Sequence, residues 1–321
     1  MKQNRTVGVC VLFLGGLILG VSTVGWADCG SIPYWSPLEI MAGMAFERSA
    51  SGGSDLRFDP MSVVVFEPGQ RAIILWNGEE EILLLSTEIR TNQPASLLEV
   101  IPLPNEPTVR PGLFETFLKM QRLFIDKSMW RVGSGGGVRG VALPENAAEI
   151  TFHDVMGVHD ISVAHVLDPS GFLGWVEQFM AAKQAVNSKV DPAFGKVIEN
   201  YLGRGTEWFV FDSIQTTQKV LSRGPVEYRF KTDRLYYPLE ISSRETGKTH
   251  IDLLLVTPQP LTQFPDVQFA VARDKAVSVT PAELGNAAPD WAGFMGDAPL
   301  TMQRIRIKGN MQKMTVDFIA R

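Results

Sequence analysis

Residues 72–85 read AIILWNGEEEILLL, and this stretch decides the fold class. Two mostly apolar runs, 72–76 and 80–85, flank the turn that contains Asn77-Gly78. Asn-Gly between two such runs is the strongest short-range signal for a β-hairpin, because both residues tolerate the positive φ that a tight turn requires. We therefore predict an antiparallel hairpin that turns at Asn77 and Gly78.

Three acidic residues, Glu79, Glu80 and Glu81, come directly after the predicted turn. An acidic run beside a hairpin turn is typical of a solvated tip, because ionised carboxylates stay in water unless they are paired. A cation site formed by the three carboxylates is the alternative interpretation.

Three helices are predicted further along the chain. Asp168-Pro169 and Asp191-Pro192 each indicate a helix start, because Asp caps helices and Pro suits their first position. The other helix follows Pro111 and carries apolar side chains at three- and four-residue spacing: Phe114, Phe117, Leu118 and Phe124.

Most of the remaining chain is predicted to form strands, because it is rich in β-branched and aromatic residues and is divided by turn formers. The stretch from Pro281 to Pro299 is predicted to be loop, and the terminal pair 302–307 and 311–319 is predicted to turn near Gly309. The other predicted strands are 96–104, 150–154, 158–167, 208–211, 226–230, 236–241 and 251–256. Strands outnumber helices without alternating with them, which predicts an α+β fold with mostly antiparallel sheet and three main helices packed against it.

The first 27 residues have the pattern of a signal peptide. Lys2 and Arg5 precede an uncharged apolar run over 7–24, and the small residue Ala27 suits cleavage after it. We expect residues 28–321 to be exported as a single globular domain, or as two subdomains divided at the Gly-rich loop near 132–142. The periplasm, the cell envelope and the medium are the possible destinations, and an uncleaved anchor is the alternative.

Charge and cysteine content restrict the partners. The chain carries 30 basic and 35 acidic side chains, and removing Lys2 and Arg5 with the leader leaves 28 basic ones. Such an acidic chain is not expected to bind nucleic acid or an anionic membrane surface. Cleavage also removes Cys10, so Cys29 has no intramolecular disulfide partner. Separately, the rest of the sequence is not expected to contain a second membrane span.

A glycine-rich run, Gly133-Ser-Gly-Gly-Gly-Val-Arg-Gly140, matches the dinucleotide-binding pattern G-x-G-x-x-G in letters only. The phosphate-binding form follows a strand and opens a helix, whereas this run follows a predicted helix. We interpret it as a linker and expect no cofactor.

The candidate metal ligands are His153, Asp154, His159 and Asp160, which lie in a predicted second hairpin turning at residues 156–157. That turn would place Asp154 opposite His159 and His153 opposite Asp160, close enough for carboxylate–imidazole contacts. The two pairs would point to opposite faces of the sheet, which favours structural pairing over one metal site. His165 is predicted to be a hydrogen-bonded core histidine.

No catalytic residue can be assigned, since H-E-x-x-H and G-x-S-x-G motifs are absent from the sequence. Tyr236, Tyr237 and the seven tryptophans could line a carbohydrate groove, although aromatic residues in strands are more often core.

The order of several segments resembles the bacterial family of exported proteins known as domain of unknown function 2330. The resemblance covers roughly residues 28–260 and implies an envelope or secreted location without implying an activity. The segments that carry it are Cys29-Gly30, 87–90, 101–104, 157–163, Trp175, 201–202, 209–210 and 237–239.

We expect a non-enzymatic binding or scaffolding module, with an envelope protein or a glycan as the possible partner. The alternatives are a metal-dependent hydrolase built around His153 and His159, and a carbohydrate-binding protein.

Overall fold

The computed structural model describes residues 30–34, 65–92, 95–128, 148–156, 159–186, 188–216, 219, 221–222, 224–244, 247–264 and 270–321. For residues 66–68, 148–156, 221–222 and 270, only the backbone is described. The predicted leader, Cys29 and the Gly-rich loop lie outside the described residues.

The strands in chain order are β1 (Gly30–Tyr34), β2 (Val65–Trp76), β3 (Glu80–Thr91), β4 (Ala95–Leu103), β5 (Thr108–Pro111), β6 (Ala148–Met156), β7 (His159–Val166), β8 (Trp208–Thr216), β9 (Leu221–Ser222), β10 (Val226–Lys231), β11 (Leu235–Tyr237), β12 (Lys248–Thr257), β13 (Ala270–Arg273), β14 (Val277–Val279), β15 (Leu300–Asn310) and β16 (Phe318–Ala320). The α-helices are α1 (Phe114–Ser128), α2 (Phe172–Ala182), α3 (Pro192–Gly203), α4 (Pro281–Ala287) and α5 (Pro289–Met295). Short 3-10 helices span Glu240–Arg244 and Met311–Lys313.

Two large sheets form the body of the described chain. The five-stranded sheet has the order β1-β4-β8-β7-β6, and the nine-stranded sheet follows β13-β15-β12-β2-β3-β10-β5, with β14 on β15 and β9 on β3. All of these pairs are antiparallel except β2 with β12. Both sheets contain strands from before and after the Gly-rich loop, so they do not correspond to consecutive halves of the chain.

The helices and sheets pack in four layers, α/β/β/α, with apolar side chains between adjacent layers. One core lies between the sheets and joins, for example, Leu83 and Leu253 of the nine-stranded sheet to Val163 and Val210 of the five-stranded sheet. A second core packs α2 and α3 on the outer face of the five-stranded sheet, and a third packs α1, α4 and α5 on the outer face of the nine-stranded sheet. Each fully buried aliphatic or aromatic side chain contributes about 1.5–3 kcal/mol of transfer free energy, so these three cores stabilise the fold.

The α+β prediction is confirmed, but the number of helices is larger than the three predicted. The described chain has five α-helices, because the predicted loop after Thr280 contains α4 and α5. Thr280 and Glu283 form a capping box, and Pro281 and Pro289 lie in the first turns of the two helices. This signal was present in the sequence and was outweighed by the Gly and Pro content of the stretch.

The first hairpin is confirmed, with its turn one residue later than predicted. Trp76 pairs with Glu81, and the amide of Asn77 donates to the carbonyl of Glu80, which centres the turn on Gly78 and Glu79. Gly78 has φ of +106°, whereas the Asn77 side chain accepts hydrogen bonds from the amides of Glu79 and Glu80. Asn77 therefore stabilises the turn from its flank.

Two predicted helix starts had different outcomes. Asp191 caps α3 by accepting from the amides of Ala193 and Phe194, as predicted. The start at Asp168 is wrong, because its carboxylate instead accepts from Ser170 and α2 begins only at Phe172. A local side-chain turn has replaced the cap.

The predicted terminal hairpin is also wrong. β15 is followed by the 3-10 helix Met311–Lys313, and β16 pairs with β11 rather than with β15. The Asn310 side chain caps the 3-10 helix by accepting from the amide of Gln312. The chain therefore leaves the sheet at the end of β15, and no hairpin partner of β15 follows it directly.

Candidate functional site

The predicted histidine and aspartate cluster lies on β6 and β7, the edge strand of the five-stranded sheet and its neighbour. The register of β6 and β7 differs from the prediction: Met156 pairs with His159, Val155 with Asp160 and His153 with Ser162. Each residue of β6 therefore pairs with a residue two positions later in β7 than predicted. Asp154, for example, lies opposite Ile161 instead of His159. The predicted cross-strand pairs of Asp154 with His159 and His153 with Asp160 are wrong.

His159 is buried on the face of β7 that points toward the other sheet. Its Nδ1 lies 2.5 Å from Oδ2 of Asp212 on β8, and its Nε2 lies 2.9 Å from the carbonyl oxygen of Gly224. The two side chains expose only 7% and 2% of their surface. Because Gly224 lies just before β10, His159 links the five-stranded sheet to a loop of the nine-stranded sheet.

Asp160 is the neighbour of His159 and points to the opposite face, as alternation along a strand requires. Its Oδ2 accepts from Nζ of Lys183 at 2.5 Å, just after the end of α2. Burial lowers the pKa of Lys183, and the hydrogen bond and charge of Asp160 oppose that shift. The Lys183 ammonium also lies 5.4 Å from the centre of the Phe179 ring.

This arrangement restricts the chemistry open to His159. A metal ligand or general base needs one imidazole nitrogen facing a metal ion or a substrate. Both nitrogens of His159 instead face oxygen atoms of the protein. The two hydrogen bonds can form together in two ways: both ring nitrogens are protonated and donate, or Nε2 donates to Gly224 while a protonated Asp212 donates to Nδ1. No group of three or more His, Cys, Asp or Glu side chains arranged to hold a metal ion occurs among the described residues.

The other predicted site residues are dispersed or lie outside the described side chains. His153 and Asp154 belong to β6, of which only the backbone is described. The His165 side chain is one-quarter exposed, and its Nε2 lies 3.7 Å from Oε2 of Glu207. Its ring stacks on that of Trp208, with ring centres 4.2 Å apart. It therefore lies at the edge of the core.

Among the residues that the structure describes, most of the predicted carbohydrate-binding aromatic side chains belong to the core. Tyr236 and Tyr237 expose 7% and 1% of their surface, and Trp175 and Trp291 are buried. Trp208, which is half-buried, has one face covered by His165. A sugar ring stacks on an open aromatic face, and the four buried side chains do not present one.

The acidic run after the first turn is only partly solvated, which corrects the predicted tip. Glu79 is exposed and Glu80 pairs with Arg229, but Glu81 is wholly buried in β3. Burial raises the pKa of Glu81 well above its ordinary value, and a hydrogen bond from the Tyr236 amide opposes the shift. Alternation along β3 places Glu81 on the same face as Leu83, toward the core between the sheets.

A second buried carboxylate, Asp317, joins the C-terminal segment to α3. It accepts from the Tyr201 hydroxyl at 2.5 Å and from the amides of Leu239 and Glu240 at 3.0 Å. Burial raises the pKa of Asp317, and the bonds from Tyr201 and the Glu240 amide oppose the shift.

Sequence analysis missed Asp212, Lys183, Glu81 and Asp317 as members of these buried networks. A signal was present for two of them: Asp212 follows Phe209-Val-Phe211, and Asp317 lies between Val316 and Phe318. An isolated carboxylate within an apolar strand has to be paired or protonated. The identity of each partner was not readable, because the partners are distant in sequence.

Comparison with family models, curated proteins and solved structures produced no match. The resemblance to the exported family therefore stays a prediction. Within the described residues, no helix is both long enough and apolar enough to cross a membrane.

Proposed function

We propose that this chain is an exported cell-envelope protein that acts by binding or scaffolding and does not catalyse a reaction. The leader pattern of residues 1–27 supports the location. The observation that carries the proposed mode of action is the engagement of His159 with Asp212 and Gly224. One of the two histidines of the alternative hydrolase site is thus used to connect the two sheets.

The surroundings of His159 support a structural role as well. A metal at this position would have to displace Asp212 or the Gly224 carbonyl from a buried ring, leaving a polar group without its hydrogen bond. Leaving such a group unsatisfied costs about 1–3 kcal/mol. Asp160, the other described candidate ligand, is held on the opposite face by Lys183.

The test uses the mature protein, exported by a host cell and purified without chelators. Native mass spectrometry and elemental analysis would measure bound metal, and ester, peptide and glycoside substrates would measure turnover. We expect no stoichiometric metal and no turnover above the level of a control purification.

Two histidine variants make the test specific. His159→Gln retains a polar side chain at the buried position, and His165→Gln is the matched control at the partly exposed one. Zinc or turnover in the wild type that is lost in folded His159→Gln and kept in His165→Gln would contradict the proposal. That outcome would establish the metal-dependent hydrolase in its place.

A further inference from the structure

The two hydrogen bonds of the His159 ring require one extra proton. Nδ1 lies 2.5 Å from Oδ2 of Asp212, and Nε2 lies 2.9 Å from the carbonyl oxygen of Gly224. A neutral imidazole carries one N–H, and an ionised carboxylate carries no hydrogen to donate. Both bonds therefore exist together only while the His159–Asp212 pair binds one proton more than that combination does.

Loss of this proton breaks the bond to Gly224 rather than the bond to Asp212. The remaining N–H can donate to only one of the two oxygens, and a hydrogen bond to a carboxylate is about twice as strong as one to a neutral carbonyl. The hydrogen then stays on Nδ1, and the lone pair of Nε2 faces the carbonyl oxygen of Gly224. Because two facing acceptors repel each other, we expect Gly224 to move away from the ring.

The residue after Gly224 extends this connection to the start of a helix. The carbonyl oxygen of Pro225 accepts from the amide of Gly112 at 2.7 Å, and α1 begins two residues later at Phe114. Pro225 is also the residue directly before β10. Residues 224–225 therefore connect β7 of the five-stranded sheet to the start of α1, which packs on the outer face of the nine-stranded sheet.

Charged groups on the neighbouring elements surround the pair. Asp212 lies directly opposite Glu99 of β4, and the strand β6 that pairs with β7 contains Asp154. On the other face of the sheet, Lys183 pairs with Asp160, and its charge also attracts that of Asp212. These charges set the pH at which the pair releases its proton, whereas the two bonds of the ring set the direction of the change.

We propose that His159, Asp212 and Gly224 form a proton-operated latch between the two sheets. The latch is closed while the His159–Asp212 pair holds its extra proton. As pH rises and this proton leaves, the bond to Gly224 is lost and residues 224–225 loosen together with their contact to Gly112. This conformational device goes beyond the proposed binding function and does not depend on it.

Amide hydrogen exchange of the mature protein, measured by NMR spectroscopy from mildly acid to mildly alkaline pH, tests the latch. The reporter is the Gly112 amide, which donates to Pro225. The internal reference is the Thr232 amide, which donates to the Glu79 carbonyl just past the other end of β10. The ratio of the two exchange rates at each pH removes the pH dependence of the exchange chemistry itself. We expect this ratio to rise about tenfold with pH, because one hydrogen bond that holds the segment is lost.

Asp212→Asn makes the test specific. The Asn side chain can donate an N–H to Nδ1 while the neutral ring donates from Nε2 to Gly224, so both bonds form without the extra proton. The exchange ratio of this variant is expected to keep its closed value at every pH. His165→Gln is the matched control, because it removes another histidine of β7 that lies outside the latch, and it should keep the transition of the wild type.

A second measurement on the wild type covers the case in which Asp212→Asn does not fold. Two-bond correlation of the imidazole ¹H and ¹⁵N nuclei reports which ring nitrogens carry hydrogen. Nε2 of His159 donates to Gly224 in every closed form of the latch. We therefore expect Nε2 to carry hydrogen at the acid end of the range and to lose it at the alkaline end, while Nδ1 keeps its hydrogen there.

Three results would overturn the latch. An exchange ratio that stays constant with pH in the wild type would show that the pair does not hold residues 224–225. The same transition in folded Asp212→Asn as in the wild type would assign the change to another group. An Nε2 that keeps its hydrogen while the ratio rises would show that the segment loosens without loss of the proposed bond.

Discussion

Replacing Glu81 by Gln tests the most unusual ionisable group of the described core. Glu81 lies wholly buried in β3, where one carboxyl oxygen accepts from the Tyr236 amide at 2.7 Å. The other oxygen has no hydrogen-bond partner among the described residues. Burial raises the pKa of this carboxyl well above its ordinary value, so the folded protein retains a proton that the unfolded chain loses.

The magnitude follows from this difference in bound protons. An unfolded Glu has a pKa of about 4.3, so above that pH the folded state binds more protons at this position than the unfolded state. The free energy of unfolding then decreases as pH rises, by up to about 1.4 kcal/mol per pH unit until the folded pKa is reached. Stability from this group is complete below the unfolded pKa and declines above it.

Glu81→Gln keeps the shape and an acceptor for the Tyr236 amide, and it removes the titration. The buried amide NH₂ adds an offset of about 1–3 kcal/mol that does not depend on pH. Relative to the wild type, the variant is therefore expected to become more stable as pH rises above the unfolded pKa of Glu. The slope of the difference, rather than its value at one pH, is the diagnostic quantity.

This slope is measured by urea unfolding, which is followed by tryptophan fluorescence. The measurement is repeated at intervals of one pH unit, from mildly acid to mildly alkaline. Glu79→Gln is the matched control, because Glu79 is exposed at the same turn, and its curve should run parallel to the wild type. Parallel curves for Glu81→Gln and the wild type would refute the reasoning, since they would show that Glu81 takes up no extra proton on folding.

Four further substitutions test the packing at two glycines, one helix cap and one buried hydrogen bond. Gly112→Ala should destabilise the fold by about 1–3 kcal/mol, because a Cβ there would lie 2.3 Å from Leu84 Cδ1 and 2.8 Å from the Pro225 carbonyl oxygen. Gly174→Ala is the control, because this position of α2 is open, and it should be neutral or stabilising by up to about 1 kcal/mol. Equal urea midpoints for the two variants would contradict the close contact at Gly112. Asp191→Ala should reduce stability by about 1 kcal/mol through loss of the α3 cap, and an unchanged thermal midpoint would argue against that cap. Tyr201→Phe should cost about 1–3 kcal/mol in urea unfolding, because Asp317 loses a buried donor, and a loss near zero would show that the pair is not formed.

Local signals predicted the elements whose stability depends on near neighbours in the chain. Asn77-Gly78 predicted the first hairpin, Asp191-Pro192 predicted the start of α3, and the spacing of Phe117 and Phe124 predicted the buried face of α1. Each of these signals acts over a few residues, through backbone φ, a cap or a helical repeat. They were sufficient to establish an α+β chain with mostly antiparallel strands.

The candidate site was predicted only as a region of the sequence. β7 contains His159 and Asp160, and alternation along the strand correctly indicated that they point to opposite faces. Their partners, Asp212 and Lys183, lie 53 and 23 positions further along the chain. The predicted pairs with Asp154 and His153 failed because Met156 pairs with His159, so the innermost pair lies one residue later in each strand than predicted. The partner of each β6 residue is then two positions later in β7, and a shift of two residues leaves the face of every side chain unchanged.

The amino-acid sequence alone determined the fold class, the acidic charge, the exported-type leader pattern and most element positions. Tertiary structure decided the parallel pairing of β2 with β12, the pairing of β16 with β11, the burial of Glu81 and the engagement of both His159 nitrogens. The physical reason is the range of the interactions. Turns, caps and periodicity are set by bonds between near neighbours, whereas strand partners and buried polar contacts are selected by how two sheets and their helices together bury the apolar side chains.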